Sequence, residues 1–534
     1  MKKILILLTF PVLLFAQTKP TFFDLNKKNS FEKISETSAN TPLSNSINDI
    51  LVQGNGDTVW IATSKGLSVT FDKGTSWKNY YGDNAFGTES AIALEYSNGV
   101  IYVTTGHHEE GIDGSPVITG SGLRFSTDGG VTWVKVPQSV DDPSDSLITY
   151  GINTLRALPI TVTQQNVSYD IAVLNDTIYT TSWAGGLRRV SLATLIANPN
   201  AQWERVVLPP DYLDSISPND TLHFSLQPKA GAFGPEEYLN HVAFSVVATD
   251  SGYLYVGTAN GINKSTDGIS WRKFNYQNQI DGISGNFITS LGYDEVTHSV
   301  WATTWQAVDP NEYNAVSASF NGGETWYVFL DAIKGHGFGF VNKTDASEIL
   351  VATDDGIFRT ADYGLSWFVP SEIRDLDNNA IFDRFVNYYS CDASFDDAHT
   401  STIWVGSSQG LAKETEEAGA AMWDGEWKLY IASKPLANAD ETYAFPNPFN
   451  PTLRQVKIKY EVKNDGTPVT VRIHNFDMQI VRTIIQNAPR NSGEQIETWD
   501  GRNENGIYVS NGVYFYVIQR GDNDKIYGKI MVIR

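Results

Sequence analysis

Cysteine is nearly missing from this chain. Cys391 is the only one in 534 residues, so no intrachain disulfide can form and packing alone must hold the fold. Basic residues are also in deficit: 39 Lys and Arg stand against 61 Asp and Glu, a formal net charge of −22. Such a field repels duplex nucleic acid and anionic membrane surfaces; it favours solubility and leaves room for divalent cations. Past the first twenty residues no apolar run approaches the roughly 20 residues a spanning helix requires. Helical periodicity is almost lacking as well. Apolar stretches are short and end in Gly, Asn, Asp or Ser, which is the texture of strands and turns. Hydrophobic residues are 41% of the chain and charged residues 19%, so the chain folds rather than remaining disordered. Aromatics at 12%, with 14 Trp and 25 Tyr, suit an all-β protein in which rings pack between sheets.

The first residues, MKKILILLTFPVLLFAQ, read as a secretory signal. Lys2 and Lys3 form the charged part, Ile4 to Phe15 the apolar core and Ala16–Gln17 the cleavage point, giving a signal peptide over 1–16. No Cys stands at the cleavage point, which argues against a lipid anchor. Residues 17–44 are a lead-in segment.

One pattern recurs along residues 45–432: an apolar strand ending in small residues, a Gly turn, a short strand, an acidic turn, then Trp. Copies run through residues 59–77, 100–133, 253–271, 299–326 and 349–367, and the copies at 177–203 and 402–427 have lost the acidic turn but keep its frame and its Trp. Each is preceded by an apolar stretch such as INDILVQ (47–53) or HVAFSVVAT (241–249). Four strands per copy and seven copies predict a seven-bladed β-propeller, with six or eight blades as the alternatives, because a repeated sheet can bury its faces only against its neighbours.

The acidic turns resemble the Asp-box, or BNR repeat, with the pattern Ser/Thr-x-Asp-x-Gly-x-Thr/Ser-Trp. Thr70 to Trp77, Ser126 to Trp133 and Thr360 to Trp367 match it fully. Ser319 to Trp326 has Asn321 in place of Asp, and Ser265 to Trp271 is one residue short after Asp267. For Asp72, Asp128, Asp267, Asn321 and Asp362 the reading is structural. The carboxylate or amide accepts hydrogen bonds from its own turn, the Gly takes a positive φ, and Trp77, Trp133, Trp271, Trp326 and Trp367 pack on the sheets. The resemblance spans sialidases, endoglucanases and non-enzymatic receptors, so it names no reaction.

From Tyr443 the texture changes. Residues 433–451 read as a linker ending in the Pro-punctuated run FPNPFNP (445–451). Five alternating strands follow, at 456–462, 469–476, 480–485, 512–519 and 527–534, predicting a small immunoglobulin-like β-sandwich over 452–534. Pro446 to Pro451, Trp499-Asp-Gly-Arg502, Gly506, Gly512 to Tyr516 and Lys529 to Arg534 together resemble the flagellar-hook-cap immunoglobulin-like domain and the allied type A sorting domains of type IX secretion. The Trp-Asp-Gly-Arg element belongs to the hook-cap branch. The resemblance implies an outer-membrane export machinery as partner and a secreted protein, or one on the outer cell surface, of a Gram-negative-type bacterium.

In a four-stranded blade the acidic turns open on one face, and the turns between second and third strands open on the other, beside the central channel. These inner turns offer Ser64-Lys65, His107-His108-Glu109-Glu110, Trp183, Asn260, Trp305-Gln306, Asp354-Asp355 and Ser408-Gln409. The ligand-binding candidates are Lys65, His107, His108, Trp183, Asn260, Trp305, Gln306, Asp354 and Asp355. Aromatic faces, amides and carboxylates on one rim suit a glycan or a polar protein ligand; the alternative is ordinary polar turns with Trp capping the channel. An enzyme reading rests on Glu109, Glu110, Asp354 and Asp355 as an acid/base pair for glycoside hydrolysis. Against a sialidase, residues 40–432 hold only nine Arg, none before Arg124, and the usual Phe/Tyr-Arg-Ile-Pro motif is lacking. For metals, adjacent residues of the His-His-Glu-Glu run diverge on an extended segment. Asp375-Leu-Asp377-Asn-Asn379 opens like a calcium loop but has Ala380 where Gly belongs and Val386 where an acid belongs, so it reads as a solvated acidic loop. The expectation is therefore a monomeric, non-catalytic surface propeller without metal or cofactor, Ca2+ being the one candidate ion.

Overall fold

The computed structural model describes residues 23–27, 41–111, 114–226, 239–383, 386–434, 436–522 and 524–534. The span read as a signal peptide and most of that read as a lead-in lie outside the described residues. The chain is all-β: a β-propeller followed by a C-terminal immunoglobulin-like sandwich.

Within each repeat the strands pair antiparallel in simple up-and-down order; a parallel bridge between Gly66 and Ser90 joins the first two repeats into one sheet, and the sixth repeat has a sheet of three strands rather than four. The innermost strands are Ile47–Gln53, Ser90–Ser97, Ser168–Leu174, Ala243–Ala248, Phe287–Asp294, Gly335–Asn342 and Tyr388–Phe395. They touch in cyclic order, the last against the first. The strands next to them, such as Thr58–Thr63 and Ser347–Thr353, are buried along nearly their whole length. Both faces of each sheet are covered by neighbouring sheets, which is why these strands read as unbroken apolar runs rather than as alternating ones.

Every innermost strand carries an irregular register near its start, for example between Ile47 and Asp49, Ser168 and Asp170, and Tyr388 and Ser390. Such bulges bend a strand and re-aim its side chains. Asp49 and Asp170 stand at such irregularities and Asp392 two residues past one, and these aspartates stitch the ring together. Asp49 accepts the Leu94 N–H at 2.8 Å, Asp170 the Val246 N–H at 2.8 Å, and Asp392 the Val52 N–H at 2.7 Å.

The acidic turns are joints between sheets. In the turn of the first repeat, Asp72 accepts the Ser76 N–H at 2.8 Å and the Ser76 and Thr70 hydroxyls at 2.6 and 2.7 Å. These bonds hold its carboxyl down at about 2. Gly74, at φ +89°, lies against the Tyr430 hydroxyl and the Trp404 ring of the last repeat, where no Cβ would fit. Gly130 meets Tyr80 and Trp60, Gly268 meets Tyr179, Gly323 meets Phe274, and Gly364 meets Phe329 in the same way. A cation of the preceding repeat then donates to a turn carbonyl: Lys413 to Lys73 O at 3.0 Å, Lys78 to Gly130 O at 3.2 Å, Arg189 to Gly268 O at 3.0 Å and Lys264 to Gly322 O at 2.9 Å. Glycine is needed for backbone conformation and for close approach at once. The terminal tryptophans Trp77, Trp271 and Trp326 are buried, while Trp133 and Trp367 are partly exposed.

The sandwich packs sheets of three and four strands around Val456, Ile458, Tyr460, Trp499 and Tyr516. Strand Tyr443–Phe445 falls within the span read as linker and pairs with Val456–Val462. Strand Gly493–Trp499 was not among the five strands expected; Glu494, Gln495 and Glu497 hide its apolar alternation. It is buried because it docks on the propeller. Ile496 joins the core of the sixth and seventh repeats and donates its N–H to Asn378 O at 2.9 Å, and Gln495 bonds Asn379 and Asp377 O. Lys457, buried, donates to Gln409 at 3.0 Å and lies 3.9 Å from Asp383, which Gln409 also bonds at 2.6 Å. This corrects the solvated-loop expectation. Asp375 is 2% exposed and Asp383 7%, and Asp375 accepts the N–H groups of Asp377 and Leu429. The loop is a docking plate.

Candidate functional site

The turns between second and third strands share one rim with the connections that leave each outer strand. The lead-in closes its centre. Phe23 (6% exposed) and Leu25 pack with Ile92, Tyr169, Phe244, Phe287 and Trp305. The His108 N–H donates to Asn26 O and the Asn26 N–H to Ser90 Oγ, both at 2.8 Å, which holds that segment in place. Beneath the cap runs a channel of about 270 Å³ lined by Asp49, Glu95, Asp170 and Asp392. Burial pushes Asp49 up to about 6, Asp170 and Asp392 to about 7, and Glu95 to about 8, against the pull of their backbone hydrogen bonds where these exist. The field of Asp49 and Asp170 adds to the rise at Glu95.

The candidate residues fall into separate groups on this rim. Trp183 and Trp305 belong to the core around the cap: Trp183 packs 5.9 Å from Phe244, and Trp305 is 9% exposed with its indole N–H on Gly335 O at 2.9 Å. His107 to Glu110 lie within the strand Val100–Glu110 rather than in a turn, because its pairing with Pro116–Ser126 continues as far as Glu110 and Pro116. Residues two apart therefore share a face. His107 is bonded to Glu89 at 2.7 Å, to Ser121 at 2.9 Å and to Glu109 at 3.2 Å, while Glu109 also accepts from Gln164 and Glu110 points to solvent. Burial raises Glu89, but the His107 and Ser121 bonds and the charges of His107 and Arg124 outweigh it and hold the carboxyl below its usual range.

Across the ring, Asp354 accepts from His336 at 2.7 Å. Burial lifts its carboxyl, yet His336 and Lys334 bring it below the ordinary value. His336 stands edge-on to Trp305 and Tyr389 at 5.5 and 5.6 Å, and Lys334 lies over the Trp305 ring at 4.9 Å. Asp355 is exposed. Glu109 and Asp354 thus belong to the second and sixth repeats, whose inner strands are not neighbours, and each is engaged by its own histidine. Lys65 sits at the first turn beside Ser64, whose hydroxyl meets Ser44 at 2.7 Å.

Asn260 leads to the feature the sequence reading missed. Between the fourth and fifth repeats a pocket of about 420 Å³ is lined by Asp211, Asn260, Asn275, Gln277, Asn286, Asp309 and Glu312 among others. Glu312, 3% exposed, accepts the Ala307 and Asn286 N–H groups at 2.6 and 3.2 Å and the Asn286 amide at 2.8 Å. Burial raises its carboxyl despite these bonds. Gln306 borders this connection and bonds Asn314 and Asp309 O. The clue was the amide-rich segment NYQNQ (275–279), placed after an outer strand rather than in an inner turn. Among the described residues, no cluster of three or more His, Cys, Asp or Glu is arranged to hold a metal ion, and no helix is long and apolar enough to cross a membrane.

Comparison with known proteins places the sandwich first: residues 450–524 match the FlgD Ig-like domain. No curated protein matches the chain. Among solved structures, the chain is similar to PorZ, described as an essential bacterial surface component of the type-IX secretion system of Porphyromonas gingivalis. Identity is 15% and the TM-score 0.38, covering 91% of this chain and 66%, just under two thirds, of that one. YCF48 from Cyanidioschyzon merolae gives 15% identity and a TM-score of 0.38 over 68% of this chain and 93% of that one. YCF48 bound to D1 peptide gives 13% and 0.39 over 69% and 93%. The C-terminal sandwich is thereby similar to the FlgD Ig-like domain, joined to a propeller.

Proposed function

We propose that this chain is an exported, surface-displayed, non-catalytic propeller that binds a glycan or protein partner on its inner-turn rim. We count each repeat sheet as one blade, seven in all, and take the acidic turns as Asp-boxes used as joints. The N-terminal signal pattern and the FlgD Ig-like match at residues 450–524 support export through the C-terminal domain.

The observation that carries the reading is the amide-rich pocket around Asn260, Gln277 and Asn286 beside a channel mouth capped by Phe23 and Leu25. Amide and carboxylate groups offer both donors and acceptors to a polar ligand. Glycoside hydrolysis needs two carboxyl groups across one scissile bond, whereas Glu109 and Asp354 are tied to separate histidines. The test compares the wild type with Gln277→Ala on a broad glycan array and on intact cell-surface extracts. Loss of a specific signal in the variant is expected. Reducing ends released from a polysaccharide panel, or binding indifferent to Gln277→Ala, would overturn the assignment.

A further inference from the structure

A second concavity lies on the outer wall between the fourth and fifth repeats, where the loop that leaves strand Trp271–Phe274 at the rim reaches the acidic turn of the fifth repeat. Its volume is about 610 Å³, within the range of small-ligand sites. Three segments build it: the loop 276–284 after strand Trp271–Phe274, Tyr313 from the connection before strand Ala315–Ser319, and residues 325–328 at the start of strand Tyr327–Phe329. The loop is fixed in place. Asp281 O accepts the Trp326 N–H and Ser284 O accepts the Tyr313 N–H, both at 3.0 Å. The Gln279 amide donates to Gly323 O at 2.8 Å. The site is therefore built before any ligand arrives.

Its surface is unusual for a wall between blades. Trp326 is buried behind it, but Tyr313 is 39% exposed, Tyr327 56%, and Ile280 fully exposed at 102%. Polar groups sit among these rings: Asp281, Ser284 and Thr325 line the hollow, and Gln279 presents a buried amide oxygen that accepts from no protein group. Lys, Arg and His are missing from the lining. Tyrosine faces and hydroxyl or amide acceptors, with one carboxylate and no cation, fit a ligand that is flat-faced, rich in O–H donors and uncharged. An anionic sugar would meet Asp281 and the net charge of −22 without a cation to receive it.

We infer that this outer groove is a second binding site, distinct from the amide-rich pocket around Asn260, for a neutral polysaccharide chain. Sugar rings lie on Tyr313 and Tyr327, and ring hydroxyls donate to Asp281.

Affinity electrophoresis of the full chain tests this in gels containing glucomannan, galactomannan or hydroxyethylcellulose, with polygalacturonate as the charged counterpart and a decaproline peptide as soluble competitor. At least one neutral polymer should retard the wild type and polygalacturonate should not. Tyr327→Ala and Tyr313→Ala should each weaken retardation roughly tenfold. Tyr327→Phe should retain it, because the ring face remains, and thermal melting should show all three variants folded. Val131→Ala, exposed in the acidic turn of the second repeat, should migrate as the wild type does, and because Tyr313 and Tyr327 line the groove and not the amide-rich pocket, failure of the rim assignment and failure of this one read out separately. The inference is overturned if no neutral polymer retards the chain, if retardation survives Tyr313→Ala with Tyr327→Ala, if polygalacturonate binds equally, or if decaproline displaces the polymer.

Discussion

The two faces of the ring use the same residue types for different ends. On the acidic-turn face, aspartate (asparagine in the fifth repeat), hydroxyl, glycine and aromatic ring form one closed unit, and that unit recurs in five repeats, each time against a ring of the preceding repeat. Asp72 and Asp362 bind their own turns, and Gly74 and Gly364 press on rings of the preceding repeat. On the rim, each repeat does something different. The second holds a His–Glu–Ser cluster, the sixth a His–Asp pair, the fourth and fifth an amide-rich pocket, and the turn of the seventh is taken by the sandwich through Gln409. Uniform chemistry marks the face that holds the ring together; variation marks the face free to acquire ligands.

The comparison breaks most readily at a joint. Gly74→Ala forces a Cβ into Tyr430 at positive φ and should cost about 3 kcal/mol or more. Gly129→Ala, also at positive φ but with open space around it, should cost only about 1 kcal/mol. Chemical unfolding of the two variants side by side checks this, and equal losses would dismiss the joint. Next comes the rim turn covered by the sandwich. Asp383→Ala leaves Lys457 buried, its ammonium already lowered in pKa by burial, and should destabilise by about 3 kcal/mol. Adding Lys457→Met should recover most of that in the same unfolding assay.

Two pH experiments sharpen the contrast further. Glu95 has a folded pKa raised to about 8, so its favourable contribution is complete below the ordinary carboxylate range and is lost as pH rises through 8. Glu95→Gln should therefore raise the melting temperature at pH 8.5 and leave it nearly unchanged at pH 4. Asp72 runs the other way. Its folded pKa is lowered to about 2, so its contribution is present above the ordinary value near 4 and fades as pH falls toward 2. Asp72→Ala should lower the melting temperature at pH 7, with the difference closing in acid. The smallest effect belongs to the open rim: Gln306→Ala should move stability by no more than about 0.5 kcal/mol, as measured by thermal melting.

The joints were legible because each is local. Thr70 to Trp77 contains its own donors, acceptors and positive-φ glycine within eight residues, and a pattern that short survives in one dimension. The candidate site was legible only in pieces. Trp183 and Trp305 stood out as rim aromatics, yet the lead-in residues Phe23 and Leu25 turn them into the lid of a core. His107 and His108 were placed in a turn, whereas the hairpin runs on past them. The Asn260 pocket and the outer groove draw on residues far apart in sequence, from Asp211 to Glu312 and from Tyr276 to Val328.

By itself the sequence determined that the chain is all-β, that a strand-and-turn unit recurs before a separate sandwich, and which residues make each acidic turn. Those features depend on neighbours a few positions apart and on the periodicity of burial. Only the tertiary structure decided which ring capped the channel, which acids were driven up in pKa by burial, and that the docking loop 375–383 faces the sandwich instead of solvent. Each of those outcomes depends on which segments meet in space, and closing a ring brings together groups that no local pattern records.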